Sequence, residues 1–285
     1  MTRQILLALL PVSASFLVLY VPVLTRLAQD WIHDDNYSHG VLIIPLAAWF
    51  AWSARGRIAA MAPRPSPAGL VVVVGGLGLL LAGLLGAELF LTRISLVVVI
   101  AGGVLFMSGW AILRALAFPI GFLLLMIPIP AILFNQVAFP LQLFASQVGQ
   151  SALGLLGIPV LREGNVIVLA HTTLEVAEAC SGIRSLISLL TLGIVYGYFI
   201  DPRGGVRLLI ALATIPIAIL VNGARVAGTG VAAHYYGSNA AEGFFHTFSG
   251  WLVFIVAFAL VFAVAHLLLR VAPRRLPAAP SQVAA

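Results

Sequence analysis

The sole cysteine, Cys180, sits in the run E-A-C-S-G-I-R-S over residues 178–185, where a mixed polar segment gives way to a long apolar one. A thiol attacks a carbonyl only as the thiolate, so its surroundings decide whether it reacts. A helix beginning just after Ser181 and Gly182 would aim backbone N–H groups and a partial positive charge at the sulfur, lowering its pKa. Gly182 leaves room for a second backbone to come close, and Arg184, one turn on from Cys180, would add positive field. The same residues also suit an inert small side chain packed near a helix cap. With one cysteine, an intrachain disulfide is excluded.

Two further runs carry groups that a reactive cysteine needs. V-N-G-A-R-V-A-G over residues 221–228 places Asn222 one helical turn before Arg225, so an amide and a guanidinium share a face. That pair suits a developing oxyanion or a peptide carboxylate. An arginine near a span end also commonly snorkels to the interface. E-G-F-F-H-T-F-S-G-W over residues 242–251 contributes His246, whose ordinary pKa near 6.5 fits a general acid/base. A lone interfacial histidine is also often a hydrogen-bonded structural residue. Cys180, Arg225 and His246 together make a nucleophile, an oxyanion stabiliser and a proton carrier, the minimum for acyl transfer.

The elements that must position them follow from composition. Of 285 residues, 62% are hydrophobic and 8% charged, with a mean hydropathy of +1.12. A soluble domain carries roughly 25% charged residues, so a soluble enzyme, a nucleic-acid binder and a disordered chain are all excluded. The fifteen basic residues are all arginine, scattered singly or in pairs between apolar runs, which marks topology rather than a phosphate-binding face. The reading is an all-α integral membrane protein, a polytopic bundle of about eight transmembrane helices. Residues 1–272 form one multi-pass domain, with spans near 5–24, 39–53, 68–87, 94–113, 115–134, 183–200, 206–222 and 247–269. The glutamines at 136, 142, 147 and 150 make residues 136–158 an interfacial amphipathic helix. Residues 165–179 mix β-branched residues with acids and read as a short extended or hairpin element before Cys180. The Pro/Ala-rich segment 273–285 reads as a disordered cytoplasmic tail. The first apolar run is too long for a signal peptide and is taken as an uncleaved span.

Eight spans put both termini on one side. A cytoplasmic N-terminus gathers ten arginines on the cytoplasmic side and leaves five outside, namely Arg26, Arg93, Arg162, Arg184 and Arg225. The positive-inside rule therefore favours cytoplasmic termini. All acids except Asp201 then lie outside, and Cys180, Arg225 and His246 arrive at one membrane depth on that outer face. Elsewhere, His33, Asp34, Asp35 and His39 crowd the first outer loop, but they lack the helical His pair of a zinc site. His171 lies in the extended segment, His234 belongs with Tyr235 and Tyr236 to an interfacial belt, and His266 is structural. Neither a metal nor a cofactor is expected. The prolines at 119, 128, 130 and 140 break helices as transporters do, yet no internal repeat accompanies them. A transporter and a non-catalytic assembly subunit of a polysaccharide export system are the competing readings.

The cysteine run, N-G-A-R-V over 222–226, the His246 segment followed by S-G-W, and D-N-Y-S-H-G-V-L over 35–42 together resemble the signature blocks of exosortases. The resemblance covers about residues 30–270. It implies a multi-pass enzyme of the bacterial inner membrane with its site facing the periplasm. It also implies a cysteine transpeptidase or peptidase acting on membrane-anchored proteins that bear a C-terminal PEP-CTERM sorting signal, in association with exopolysaccharide production. Cys180 would form an acyl-thioester, with Arg225 and His246 completing the site and Glu178, Ser181, Arg184, Asn222 and His39 binding substrate or supporting it. The residues leave open whether Arg225 or His246 donates the proton, although a guanidinium stays charged near neutrality. The lipid bilayer and an unidentified acyl acceptor are the remaining partners.

Overall fold

Tyr20, Val23, Leu27 and Trp31 recur every three or four residues and are all buried, the stripe by which the first helix attaches to its neighbours. The computed structural model describes residues 3–176, 182–237 and 244–271, with the backbone alone for 3–10, 12–13 and 244–247. The expected tail over 273–285 lies outside the described residues. The chain is a polytopic helical membrane protein with one small sheet. It divides into two compact units, Met1–Leu133 and Phe134–Ala285.

The first unit contains α1 (Arg3–His33), α2 (Gly40–Ser53), the short α3 (Arg55–Ala59), α4 (Ala68–Leu85), α5 (Leu89–Ser108) and α6 (Trp110–Phe122) with a 3₁₀ turn at Leu123–Met126. Gly69, Gly76 and Gly83 repeat every seven residues along α4. A Cβ at any of the three would come within 2.1–2.7 Å of an atom of α5. Close approach along a small-residue stripe is how helices associate when lipid offers no hydrophobic contrast. Polar groups tie the remaining helices together. Arg93 pairs with Asp30, and Tyr20 shares a hydrogen bond with Ser95 at 3.0 Å. The 3₁₀ turn and Pro128 leave backbone groups without helical partners, and side chains from residues 31–39 meet three of them. Trp31 Nε1 donates to the Met126 carbonyl at 2.9 Å, His39 Nε2 to that of Leu125 at 3.3 Å, and the Ile129 N–H donates to the Tyr37 hydroxyl at 3.0 Å. Irregular backbone survives in a membrane protein only when it is satisfied in this way.

The second unit contains most of α7 (Ala131–Leu155), β1 (Val160–Glu163), β2 (Val166–Leu169), β3 (Thr173–Glu175), α8 (Ile183–Ile200), α9 (Gly204–Tyr236) and α10 (Phe244–Val271). The strands form one antiparallel sheet in the order β1-β2-β3. Alternation along β2 turns Ile167 and Leu169 into a core with Ala145 and Leu153 of α7 and Val226 and Ala233 of α9. Ser146 Oγ and an Arg162 guanidinium nitrogen both donate to the Gly164 carbonyl, at 2.9 and 2.7 Å, and Arg162 Nε donates to Gln150 Oε1 at 3.2 Å. A second core joins α8, α9 and α10 through Leu189, Ile210, Ile217, Ala257 and Val261. At the α8–α9 corner the buried Asp201 carboxylate accepts from the Arg203 backbone N–H at 2.7 Å and from its guanidinium at 2.9 and 3.0 Å.

Several boundaries differ from the sequence reading. Alpha-helix α9 continues past residue 222 to Tyr236, because Gly223 and Gly230 are packed against Val148 and Leu153 and do not interrupt it. The α5–α6 break falls at Gly109 rather than near 114, since the turn needs a φ of +85°. The sheet starts at Val160, earlier than residue 165, with Arg162 and Glu163 obscuring the strand pattern of β1. The glutamine-rich segment is a single 25-residue helix, long and apolar enough to cross a membrane. Its mean hydropathy of 1.2 is the lowest of six such helices, the others reaching 1.7 or more.

Candidate active site

Two elements meet one face of α9, each through a described contact. The first is the start of α8. Gly182 precedes that helix with φ +82° and ψ −3°, a left-handed conformation that side chains rarely adopt. It lies so close to α9 that a Cβ there would stand 2.8 Å from Cγ of Asn222. Asn222 itself is 2% exposed, so the amide is held within the protein against the residue two positions beyond Cys180. The chain on the other side of Cys180 is also tethered. The Val176 N–H donates to the Asn165 carbonyl at 2.9 Å, and Asn165 Nδ2 donates to the Val176 carbonyl at 3.3 Å. Val176, before Cys180 in the sequence, is thus held to the β1–β2 turn, and Gly182, after it, is held against α9.

Arg225 follows Asn222 by one turn. Its Nε donates to Ser249 Oγ of α10 at 3.3 Å, and a Cβ on Gly250 would touch a terminal guanidinium nitrogen at 3.5 Å. The half-buried guanidinium therefore lies across the first turns of α10. His246 occupies the third position of that helix, one turn before Ser249 and Gly250. The Asn222 amide thus lies against Gly182, and one turn on the Arg225 guanidinium lies against the helix turn that follows His246. Such a set can orient a carbonyl and receive charge that develops on its oxygen.

Arg184 is the second residue of α8 and half-buried. His39 belongs to the first unit, where it precedes α2 and bonds the Leu125 carbonyl. Glu178, Cys180 and Ser181 lie outside the described residues, as does the His246 side chain. Among the described residues no three His, Cys, Asp or Glu are grouped to hold a metal ion. Sequence reasoning missed Ser249, Gly250 and Asn165. The first two carried a signal, since they follow His246 by three and four residues and share its helical face. Asn165 carried none, because its partner Val176 is fixed only by the register of the sheet.

Residues 31–263 match the family of transmembrane exosortases, a stretch that takes in every described element from the end of α1 to most of α10. The chain belongs to the exosortase family. In this exosortase-family chain the match includes the cysteine run, the Asn222–Arg225 face and His246, so the meeting of α8, α9 and α10 lies wholly within it. Searches among curated proteins and among solved structures found no match.

Proposed function

We propose that this exosortase-family protein is a membrane cysteine transpeptidase or endopeptidase that processes proteins carrying a C-terminal PEP-CTERM signal. It works at the periplasmic face of the bacterial inner membrane, with both termini cytoplasmic. Residues 1–272 act as one multi-pass domain, and the glutamine face of α7 lies at the interface. The link is to exopolysaccharide and surface-protein export. The observation that supports this most is the convergence on α9: Gly182 against Asn222, and Ser249 and Gly250 against Arg225.

In the reaction, the Cys180 thiolate attacks the substrate carbonyl carbon and the π electrons move to oxygen. Arg225, with Asn222 beside it, stabilises that oxyanion. Collapse expels the amine, which takes its proton from His246, and leaves an acyl-thioester on Cys180. An acceptor nucleophile (an amine, a lipid, a sugar or water) then attacks the thioester and returns the thiol. Glu178, Ser181 and Arg184 flank the nucleophile and contact substrate, and His39 has a supporting role. Arg184 also suits recognition of the motif's carboxylate.

The test is a reporter with a PEP-CTERM tail, followed for cleavage in cells that express the chain. Cys180→Ala and Cys180→Ser should both abolish processing with protein level and membrane insertion intact. Full processing by Cys180→Ala would instead favour a transporter or an assembly subunit.

A further inference from the structure

The sheet before Cys180 presents one edge whose backbone geometry is fully determined. Beta-strands β2 and β3 pair with Val166 opposite Glu175, Ile167 opposite Leu174 and Val168 opposite Thr173. The Leu169 N–H donates to the Thr172 carbonyl at 2.8 Å, and the Val176 N–H donates to the Asn165 carbonyl at 2.9 Å. Hydrogen-bonded and non-bonded pairs alternate along an antiparallel ladder. Leu174 therefore faces β2 with both its N–H and its carbonyl. Thr173 and Glu175 turn theirs the other way, toward the outer edge of β3. Beta-strand β3 is an end strand of the sheet, and both residues are exposed. Among the described residues no backbone bond meets that edge.

We propose that the outer edge of β3 is the docking strand for the extended substrate segment at the scissile bond. The outward N–H and carbonyl groups of Thr173 and Glu175 pair with alternate residues of that segment. The proposal rests on the reading of Cys180 as the nucleophile. Position along the chain selects this edge over that of β1. In sequence Cys180 follows Glu175 of β3 by five residues, whereas β1 ends seventeen residues before it and is preceded by Pro159, which has no N–H to offer. The sheet is held for such a load. Its inner face packs on α7 and α9, and the β1–β2 turn is fixed by Ser146 and Arg162. Strand addition takes its affinity from main-chain bonds, which are indifferent to side-chain identity. An enzyme acting on many proteins that share only a short signal needs that property. It also needs a partner segment in extended form, which is the form that exposes a peptide carbonyl to attack.

The experiment uses the full-length protein in phospholipid vesicles with a PEP-CTERM reporter, reading KM and kcat separately. Glu175→Pro removes one outward N–H and leaves the β2–β3 bonds in place. It should raise KM by about tenfold, the value of one lost main-chain bond in a partly desolvated site, with little change in kcat. Glu175→Ala keeps the N–H and should be impaired far less than Glu175→Pro. Alkylation of Cys180 by iodoacetamide should proceed at the wild-type rate in both, which separates docking from damage to the nucleophile. Should the proline variant fail to fold, reporters N-methylated at successive backbone amides keep the test open, and loss of processing should then alternate with a period of two. A wild-type KM for Glu175→Pro, equal damage from alanine and proline, or uniform sensitivity to N-methylation would overturn the edge as docking site. If no reporter acylates Cys180 in the unaltered protein, the failure belongs to the proposed function instead.

Discussion

Arg93 and Arg225 are both arginines in apolar helices, one in each unit, and they make different contacts. Arg93 is 5% exposed and paired with the carboxylate of Asp30, which ties α5 to α1. Its neighbour Ser95 makes a second tie through Tyr20. Arg225 is half-buried, with Nε on the neutral hydroxyl of Ser249 and a terminal nitrogen beside Gly250. A carboxylate contact pairs opposite charges between two helices, whereas a hydroxyl contact orients a guanidinium through a neutral group. The first arrangement holds helices together. In the proposed reaction the second orients the guanidinium that stabilises a transient oxyanion.

The sharpest way to break this comparison is to remove each arginine in turn. Arg225→Ala should cut reporter processing by about 10²–10³-fold, the scale of a lost oxyanion donor, while the thermal unfolding midpoint in detergent stays close to wild type. Arg93→Ala should do the reverse. Asp30, 35% exposed, is left in partial contact with water, so losing its partner should cost about 1–3 kcal/mol of stability, with kcat per folded molecule preserved. Exchange of these two outcomes would refute the division of labour.

Gly182→Ala comes next, since it meets both an unfavourable φ and the Asn222 side chain. A stability loss of about 1–3 kcal/mol is expected, together with reduced processing. A double-mutant cycle with Asn222→Ala should give a coupling of at least about 0.5 kcal/mol, and additivity would mean that the two do not touch. Ser249→Ala should lower kcat about tenfold through a misaimed Arg225, with Ser249→Thr restoring most of it. The smallest effect belongs to Gln150→Ala, which loses the Arg162 contact and should cost about 1 kcal/mol or less in thermal unfolding.

The membrane class, the polytopic helical fold and the sheet ahead of Cys180 were legible because lipid imposes long apolar runs and an interrupting β-branched segment stands out among them. Helix ends were less legible. Alpha-helix α9 continues through Gly223 and Gly230 because α7 fills the space beside them, a tertiary fact with no trace in the local pattern. For the same reason Gln150 read as one residue of a polar stripe, although in the fold it receives the Arg162 guanidinium. At the candidate site, Asn222 and Arg225 were found by their one-turn spacing. Ser249 was visible by the same rule applied to His246. The Asn165–Val176 anchor was not, because strand register brings together residues that share no sequence period.

The central claim is that Cys180 carries the acyl group at the face formed by α8, α9 and α10. The direct measurement is to incubate the membrane-embedded protein with a PEP-CTERM reporter, quench in acid to preserve thioesters, and locate the adduct by mass spectrometry. The account predicts a reporter-derived acyl group on the peptide containing Cys180. That adduct should be released by hydroxylamine and sharply reduced in Arg225→Ala. Processed reporter appearing at the normal rate from Cys180→Ala protein, with no adduct in the unaltered chain, would contradict it.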